Sequence, residues 1–429
     1  MSSPALSRKA VIAVVIGNWL EFYDFIAFTF FAVMIGRAFF PGDSEFGGLL
    51  SALATFGVGF ITRPLGAAVI GTYADRAGRR AALTLTLLMM AGGSALMGLA
   101  PAYAQIGIAA PIILVVARLI QGFSCGGEVG PATAYLLESA PPEKRVGMAA
   151  WQAYSQHLAL LSGSLAGVVI TSTLSEQQLY AWGWRLPFLL GILIAPVGLY
   201  IRRQLPETIQ PNEMHASARA ILADLARHHA RAVLFGVLVI CGGTVATYVF
   251  NYMTTFAITT LHLSPAIGTT LTMMGYVAQI LGGIAGVWAD RFGRKTLLVA
   301  ARLVFATSIY PAFSILTSPE SSTAALFVTY MALSAVFSFG LVPVYAFLLE
   351  AFPKAVRSSG LSILYALGTT IFGGTTQFVV AWLIERTGSP MVPAWYMLAT
   401  TIAATVGVLG LMPHAEVVRD RAAVAPARA

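Results

Sequence analysis

The stretch "GTYADRAGRR", residues 71–80, returns as "GVWADRFGRK", residues 286–295. The copies share Gly71/Gly286, Ala74/Ala289, Asp75/Asp290, Arg76/Arg291, Gly78/Gly293 and Arg79/Arg294. A second echo keeps the same register. "ESAPPEKR" at 138–145 matches "EAFPKAVR" at 350–357 in Glu138/Glu350, in the proline three residues on and in the arginine seven on. The chain therefore reads as a tandem of two similar halves. Charged turns are conspicuous in so apolar a chain: its 429 residues are 57% hydrophobic and 10% charged, where a soluble domain carries about 25% charged residues. The mean hydropathy is +0.78. This composition belongs to a membrane protein.

Stretches without Asp, Glu, Lys or Arg run over 81–117, 146–175, 232–289, 321–349, 358–384 and 387–415. A spanning helix takes about 20 apolar residues, so the longer stretches each hold two. Twelve spans result, near 10–38, 48–73, 81–100, 106–138, 146–173, 185–203, 231–259, 266–289, 296–317, 322–350, 357–385 and 392–412. With this assignment 20 of the 26 basic residues lie on the side of both termini. The positive-inside rule makes that side cytoplasmic. The formal charge of +8 is a topology signal and gives no nucleic-acid footprint. Arg8 and Lys9 lead into a first span without a small-residue cleavage site, which reads as an anchor. Cys125 and Cys241 fall inside spans and read as packing residues. Residues 204–230, with prolines, charges and histidines, read as a cytoplasmic linker between an N-terminal half, 1–203, and a C-terminal half, 231–429.

The repeated decapeptides resemble the signature loops of the major facilitator superfamily, between spans two and three and again between eight and nine. "RLIQG" at 118–122 resembles its span-four motif, and "RRQLPET" at 202–208 the motif ending span six. "GNWLEFYDF" at 17–25, "FITRPLGA" at 60–67 and "QGFSCGGEVG" at 121–130 together are similar to the metabolite:proton symporter family within it. The resemblance covers essentially the whole chain and is nearest to citrate and tricarballylate carriers. It implies an all-α membrane protein, twelve transmembrane helices in two pseudo-symmetric six-helix halves, the major facilitator fold. It also implies that the loops are a latch in alternating access, with Gly71, Asp75, Arg76, Gly78, Arg79, Asp290, Arg291, Gly293, Arg294, Glu138 and Glu350 as its parts. Physically, glycines permit the sharp turn and basic residues hold it at the headgroups. Topology alone would need only the basic residues; the repeated Asp with fixed glycines favours the latch.

Ionisable groups at membrane depth are costly and so need a partner or a task. In this assignment they are Glu21 and Asp24 in span one, Arg63 in span two, Arg118 and Glu128 in span four, and Arg302 in span nine. Arg118 is the expected substrate anchor, because a guanidinium grips a carboxylate through two parallel hydrogen bonds; the other readings are a coupling role or a structural pair with Glu21 or Asp24. Glu21, Asp24 and Glu128 are the proton-coupling candidates, with Arg63 grouped beside them although "TRPLG" also reads as a clamp between spans one and two. Arg302 leaves two readings, snorkelling to the headgroups or a cavity role. Asn18, Tyr23, Gln121, Gln152, Gln156, His157, Tyr248, Asn251 and Tyr345 supply the uncharged polar wall for substrate. In the superfamily, spans one, four, seven and ten line the cavity.

The expected function is secondary active transport: proton-coupled uptake of a small di- or tricarboxylate, citrate-like, by a monomer in the lipid bilayer of the cell (inner) membrane. The alternatives are an osmolyte or aromatic-acid symporter, and sodium as the coupling ion. No "GKS" or "GKT" follows a glycine-rich strand end, which argues against an ATP motor. A membrane sensor would carry a sizeable soluble segment, and no metal spacing or nucleophile elbow suggests an enzyme. No cofactor or metal is expected.

Overall fold

The computed structural model describes residues 8–42, 44–138, 145–203, 227–285, 294–349, 351–352 and 357–411. Among these no strand occurs, and each of the twelve expected spans is met by a helix or by helices in series. Eight described helices are long and apolar enough to cross a membrane by length and composition, or nine if the bent pair of span one counts.

Besides the bent pair of span one, which breaks at Phe31 between Arg8–Phe30 and Ala32–Phe39, two spans are less regular than the hydrophobic pattern suggests. Span two, expected as one helix, is built from Glu45–Ile61 and Arg63–Ala77, with Thr62 between them. Pro64 is the cause: it has no N–H for the ladder and its ring crowds the carbonyl four residues back. The Thr62 hydroxyl occupies the joint, lying 3.1 Å from the Gly59 carbonyl and 3.0 Å from that of Leu119 in span four. Span eleven runs through Arg357–Gly368, a π-helical turn at Thr369–Gly373 and Gly374–Thr387. The paired glycines, Gly373 and Gly374, lie where α geometry resumes.

Spans two and four meet backbone to backbone. A Cβ on Gly122 would lie 1.7 Å from the Gly59 carbonyl oxygen, one on Gly126 1.9 Å from that of Arg63, and one on Gly66 1.9 Å from that of Phe123. Side chains larger than hydrogen have no room there, so these glycines set how closely the helices approach. That contact places Arg63 and Arg118 on neighbouring helices at fixed depth. At the end of span two, Gly78 turns the chain at φ 102°, and helix Arg79–Leu99 starts at the next residue. Only glycine takes that conformation without strain.

The chain divides into two compact units, Met1–Glu213 with Asn251–Tyr276, and Met214–Phe250 with Val277–Ala429. Inside the first, hydroxyls tie the adjoining ends of spans seven and eight to the earlier helices: Thr255 donates to the Thr29 carbonyl at 3.3 Å, and Thr269 meets Thr171 at 2.9 Å. The second has its own core of Val239, Ile240, Leu298, Leu348, Leu364 and Val408.

Candidate functional site

Span four, Ala109–Glu138, carries Arg118 into the interior of the first unit, where it is 1% exposed. The guanidinium carbon lies 3.9 Å from the centroid of the Phe28 ring and 5.7 Å from those of Phe25 and Phe56. Ring faces attract a cation, by about 0.5–2 kcal/mol each as they are desolvated, yet they fill none of its donors. One turn on, Gln121 fills one: Arg118 Nη1 donates to Gln121 Oε1 at 2.9 Å. The other end of the same amide donates from Nε2 to Asp24 Oδ2 at 2.6 Å. Ser94, from span three, donates to that same Asp24 oxygen. Gln121 is therefore an oriented bridge between a buried cation and a buried carboxyl, since an amide offers an acceptor at one atom and donors at the other.

Two features of this cluster bear on chemistry. Arg118 Nε and Nη2 have no hydrogen-bond partner, and those two atoms make up one edge of the planar guanidinium, the fork that receives both oxygens of a carboxylate. Asp24 Oδ1 likewise has none. Gly191 of span six faces it; a Cβ there would stand 3.2 Å from Oδ1.

The remaining expected residues fall around this centre or away from it. Asn18 donates to Ser155 of span five, and Trp19 to Ser162 at 2.8 Å. Tyr23 stacks on Trp19 at 5.0 Å and its hydroxyl has no hydrogen-bond partner. Arg63 lies 3.9 Å from the Phe60 ring centroid and 4.7 Å from that of Phe25, bridging spans one and two through the same ring that flanks Arg118. Glu128 is buried, but ten residues along a helix is about 15 Å, and it is not among the partners of Asp24. Gln156 and His157 are half-buried one turn of span five beyond Gln152. Asn251 accepts from the Tyr276 hydroxyl at 2.6 Å; Tyr248 is half-buried in the second unit.

The side chains of Glu21, Gln152, Tyr345, Asp75, Arg76, Arg79, Glu138 and Arg294 lie outside the described residues, as do Asp290, Arg291, Gly293 and Glu350 altogether. Of the latch only backbone is on view. Gly78 has an extended conformation at positive φ, 102°, with ψ 154°, whereas Gly71 is helical with open space at its Cβ position. Arg302 does not snorkel: it is buried, with Nη2 donating to the Val239 carbonyl at 3.1 Å.

Ser94 and Phe28 were not legible as site residues. A serine in "AGGSALMG" carries no charge to announce it at membrane depth, and Phe28 reads as one more apolar residue. The signal available for Ser94 was its place as a polar residue within a charge-free run.

Comparison with known proteins agrees with this architecture. The sugar (and other) transporter family matches residues 9–233 and 212–416. The chain is 36% identical over 406 residues to the citrate-proton symporter of Klebsiella pneumoniae, covering 93% of this chain and 90% of that one. It is 32% identical to the alpha-ketoglutarate permease of Escherichia coli, over 94% and 93% of the two chains. To the glycine betaine/proline/ectoine/pipecolic acid transporter of Dickeya dadantii it is 31% identical, over 94% and 82%. The crystal structure of a D-xylose-proton symporter superposes with a TM-score of 0.78 at 19% identity, over 94% of this chain and 98% of that one. At that identity the likeness speaks for the fold alone. With both halves matched, the chain belongs to the sugar (and other) transporter family, within the major facilitator superfamily.

Proposed function

We propose that the chain is a proton-coupled symporter for a small di- or tricarboxylate, citrate-like, working by alternating access. The observation that carries this reading is the free Nε/Nη2 edge of Arg118 beside a carboxyl that the same guanidinium reaches only through Gln121. A substrate carboxylate takes the free fork while Nη1 stays on the amide. Its negative charge offsets the field of Arg118 at Asp24, so that Asp24 accepts a proton as substrate arrives and releases it as substrate leaves. Oδ1 is the oxygen for that proton, because Oδ2 already accepts from Ser94 and Gln121. The names of the relatives at 36% and 32% identity, a citrate-proton symporter and an alpha-ketoglutarate permease, support the substrate class. Arg63 holds spans one and two together at the rim of the pair, and the basic asymmetry supports cytoplasmic termini. The charged turns at 71–80 and 286–295 act as the latch, and the halves 1–203 and 231–429 as the moving bodies.

The test is uptake into proteoliposomes of citrate, tricarballylate, 2-oxoglutarate, glycine betaine and shikimate, under imposed proton or sodium gradients. Accumulation of a polycarboxylate on a proton gradient is expected. Uptake of glycine betaine alone would move the chain to the osmolyte carriers, and drive by sodium alone would replace the coupling ion.

A further inference from the structure

The coupling scheme does not use Arg302. This residue leaves span nine, Arg294–Leu316, eight residues in, about 12 Å along the axis, and is 8% exposed. Its Nη2 donates to the Val239 carbonyl at 3.1 Å, and its Nη1, buried as well, has no hydrogen-bond partner. The side chain lines a cavity of about 30 Å³ together with Gly242, Gly243, Phe305, Gly340 and Thr401. None of the lining residues is acidic, and all belong to the second unit. Cys241, which interacts electrostatically with Arg302, is buried and free; as a thiol it brings no counter-charge.

A guanidinium withdrawn from water is costly unless negative charge or hydrogen bonds offset it. One main-chain carbonyl offsets only part of that cost. Size then selects what can complete the offset. A water needs roughly 10–15 Å³ of such space, so the cavity has room for about two water-sized atoms. That admits water or a monatomic anion and excludes acetate, whose carboxylate brings a methyl group with it. Water would satisfy Nη1 but leave the net charge, whereas a halide satisfies the donor and neutralises the charge together. Gly243 keeps the room open without being needed for packing: a Cβ there would meet only Leu341, another lining residue, at 3.4 Å. Gly242 differs, since its Cβ would press on the Thr400 carbonyl oxygen at 2.9 Å.

We propose that this cavity is a halide site, in which Arg302 Nη1 holds a single chloride ion as the resident counter-ion of the second unit. The ion is a ligand of the folded protein, distinct from the transported anion and from the donor edge of Arg118. It stabilises the core around Arg302 and takes no part in the coupling scheme, so the assignment stands whichever substrate is carried.

The test uses the purified full chain in detergent without substrate, its melting temperature followed as sodium gluconate is replaced by sodium chloride, bromide or acetate at constant ionic strength. A ligand of the folded state raises the melting temperature in step with the logarithm of its concentration once above its Kd. That rise is expected with chloride and bromide and not with acetate. Arg302→Gln removes the charge and is expected to lose the response. Gly243→Ala takes the room while leaving the charge, and should need roughly tenfold more chloride, or beyond, for the same rise. No halide response in the wild type overturns the proposal and leaves the cavity to water. A lower melting temperature in Arg302→Gln with the halide response intact, which is what a purely structural arginine gives, also overturns it. Acetate acting as well as chloride refutes a monatomic ligand, and a response lost in Arg302→Gln but untouched in Gly243→Ala puts the ion outside this cavity. If Arg302→Gln fails to fold, Gly243→Ala carries the test, and a wild-type chloride response in it sinks the site.

Discussion

Replacing Gln121 by methionine tests the bridge with almost no change of shape. The side chain is fully buried and makes two hydrogen bonds to ionisable groups, 2.9 Å from Arg118 and 2.6 Å to Asp24. Hydrogen bonds to charged groups contribute about 1.5–3 kcal/mol each, so the loss has a ceiling of about 3–6 kcal/mol if neither partner moves. Methionine is flexible and has no polar end to anchor it in the gap, so Arg118 and Asp24 are expected to close on each other beside it, and that direct contact recovers part of the loss. The stability cost is therefore expected in the lower half of that range, read as a fall in melting temperature in detergent. The functional cost is larger. Once Arg118 contacts Asp24 directly, substrate and carboxylate compete for one fork, so citrate affinity should fall at least tenfold and recover as pH is lowered through the protonation of Asp24. Affinity by calorimetry across pH, alongside gradient-driven accumulation, reads both. Wild-type affinity with a wild-type pH profile in Gln121→Met would refute the bridge, whatever happened to stability.

Other substitutions probe separate links. Asp24→Asn should abolish accumulation on a proton gradient while sparing substrate counterflow, which moves no net proton; accumulation that survives it, in matched proteoliposomes, places the proton elsewhere. Gly122→Ala must push the Gly59 carbonyl back by about 1.3 Å to reach even a tight 3.0 Å contact, and overpacking of that kind costs about 1–3 kcal/mol; an unchanged melting temperature would mean spans two and four separate freely. Gly78→Ala puts a side chain at φ 102° and ψ 154°, a cost of about 1–3 kcal/mol to be measured as lower stability with substrate affinity retained. Asp75→Asn should leave insertion and binding intact but slow exchange, and wild-type exchange at matched abundance would reduce the decapeptide to a topology signal.

How much of this was legible from residues alone follows from what a sequence can carry. Composition and the repeated decapeptide are properties of the chain itself, so membrane class, span number and tandem halves needed no coordinates. Arg118 and Asp24 were legible because charge at membrane depth is rare enough to stand out. Their relationship was not. Gln121 reads as substrate wall, and only the folded structure shows both ends of its amide occupied by the two ionisable groups. Pro64 is visible but its consequence is not, because hydropathy runs unbroken across the helix break at Thr62. Arg302 offered two environments with the same local sequence; the carbonyl of Val239, 63 residues away in the chain, decides between them.

The amide spacer explains why the cluster is not a simple ion pair. In a direct Arg118–Asp24 contact the fork would be filled by the protein's own carboxylate, and every substrate would have to displace it against a strong attraction in a dry interior. Glutamine shifts that contact to Nη1 and leaves Nε and Nη2 together on one edge. The same amide keeps Asp24 within the electrostatic field of the guanidinium without consuming the donors that recognise substrate. Affinity and coupling then depend on different atoms of one side chain. Arg118→Lys separates them: an ammonium can keep a hydrogen bond to Gln121 but presents no planar fork. The variant should lose substrate affinity at least tenfold in calorimetry. Whatever transport remains should still depend on the proton gradient. Full affinity in Arg118→Lys would show that charge alone suffices and that the free edge is not the substrate site.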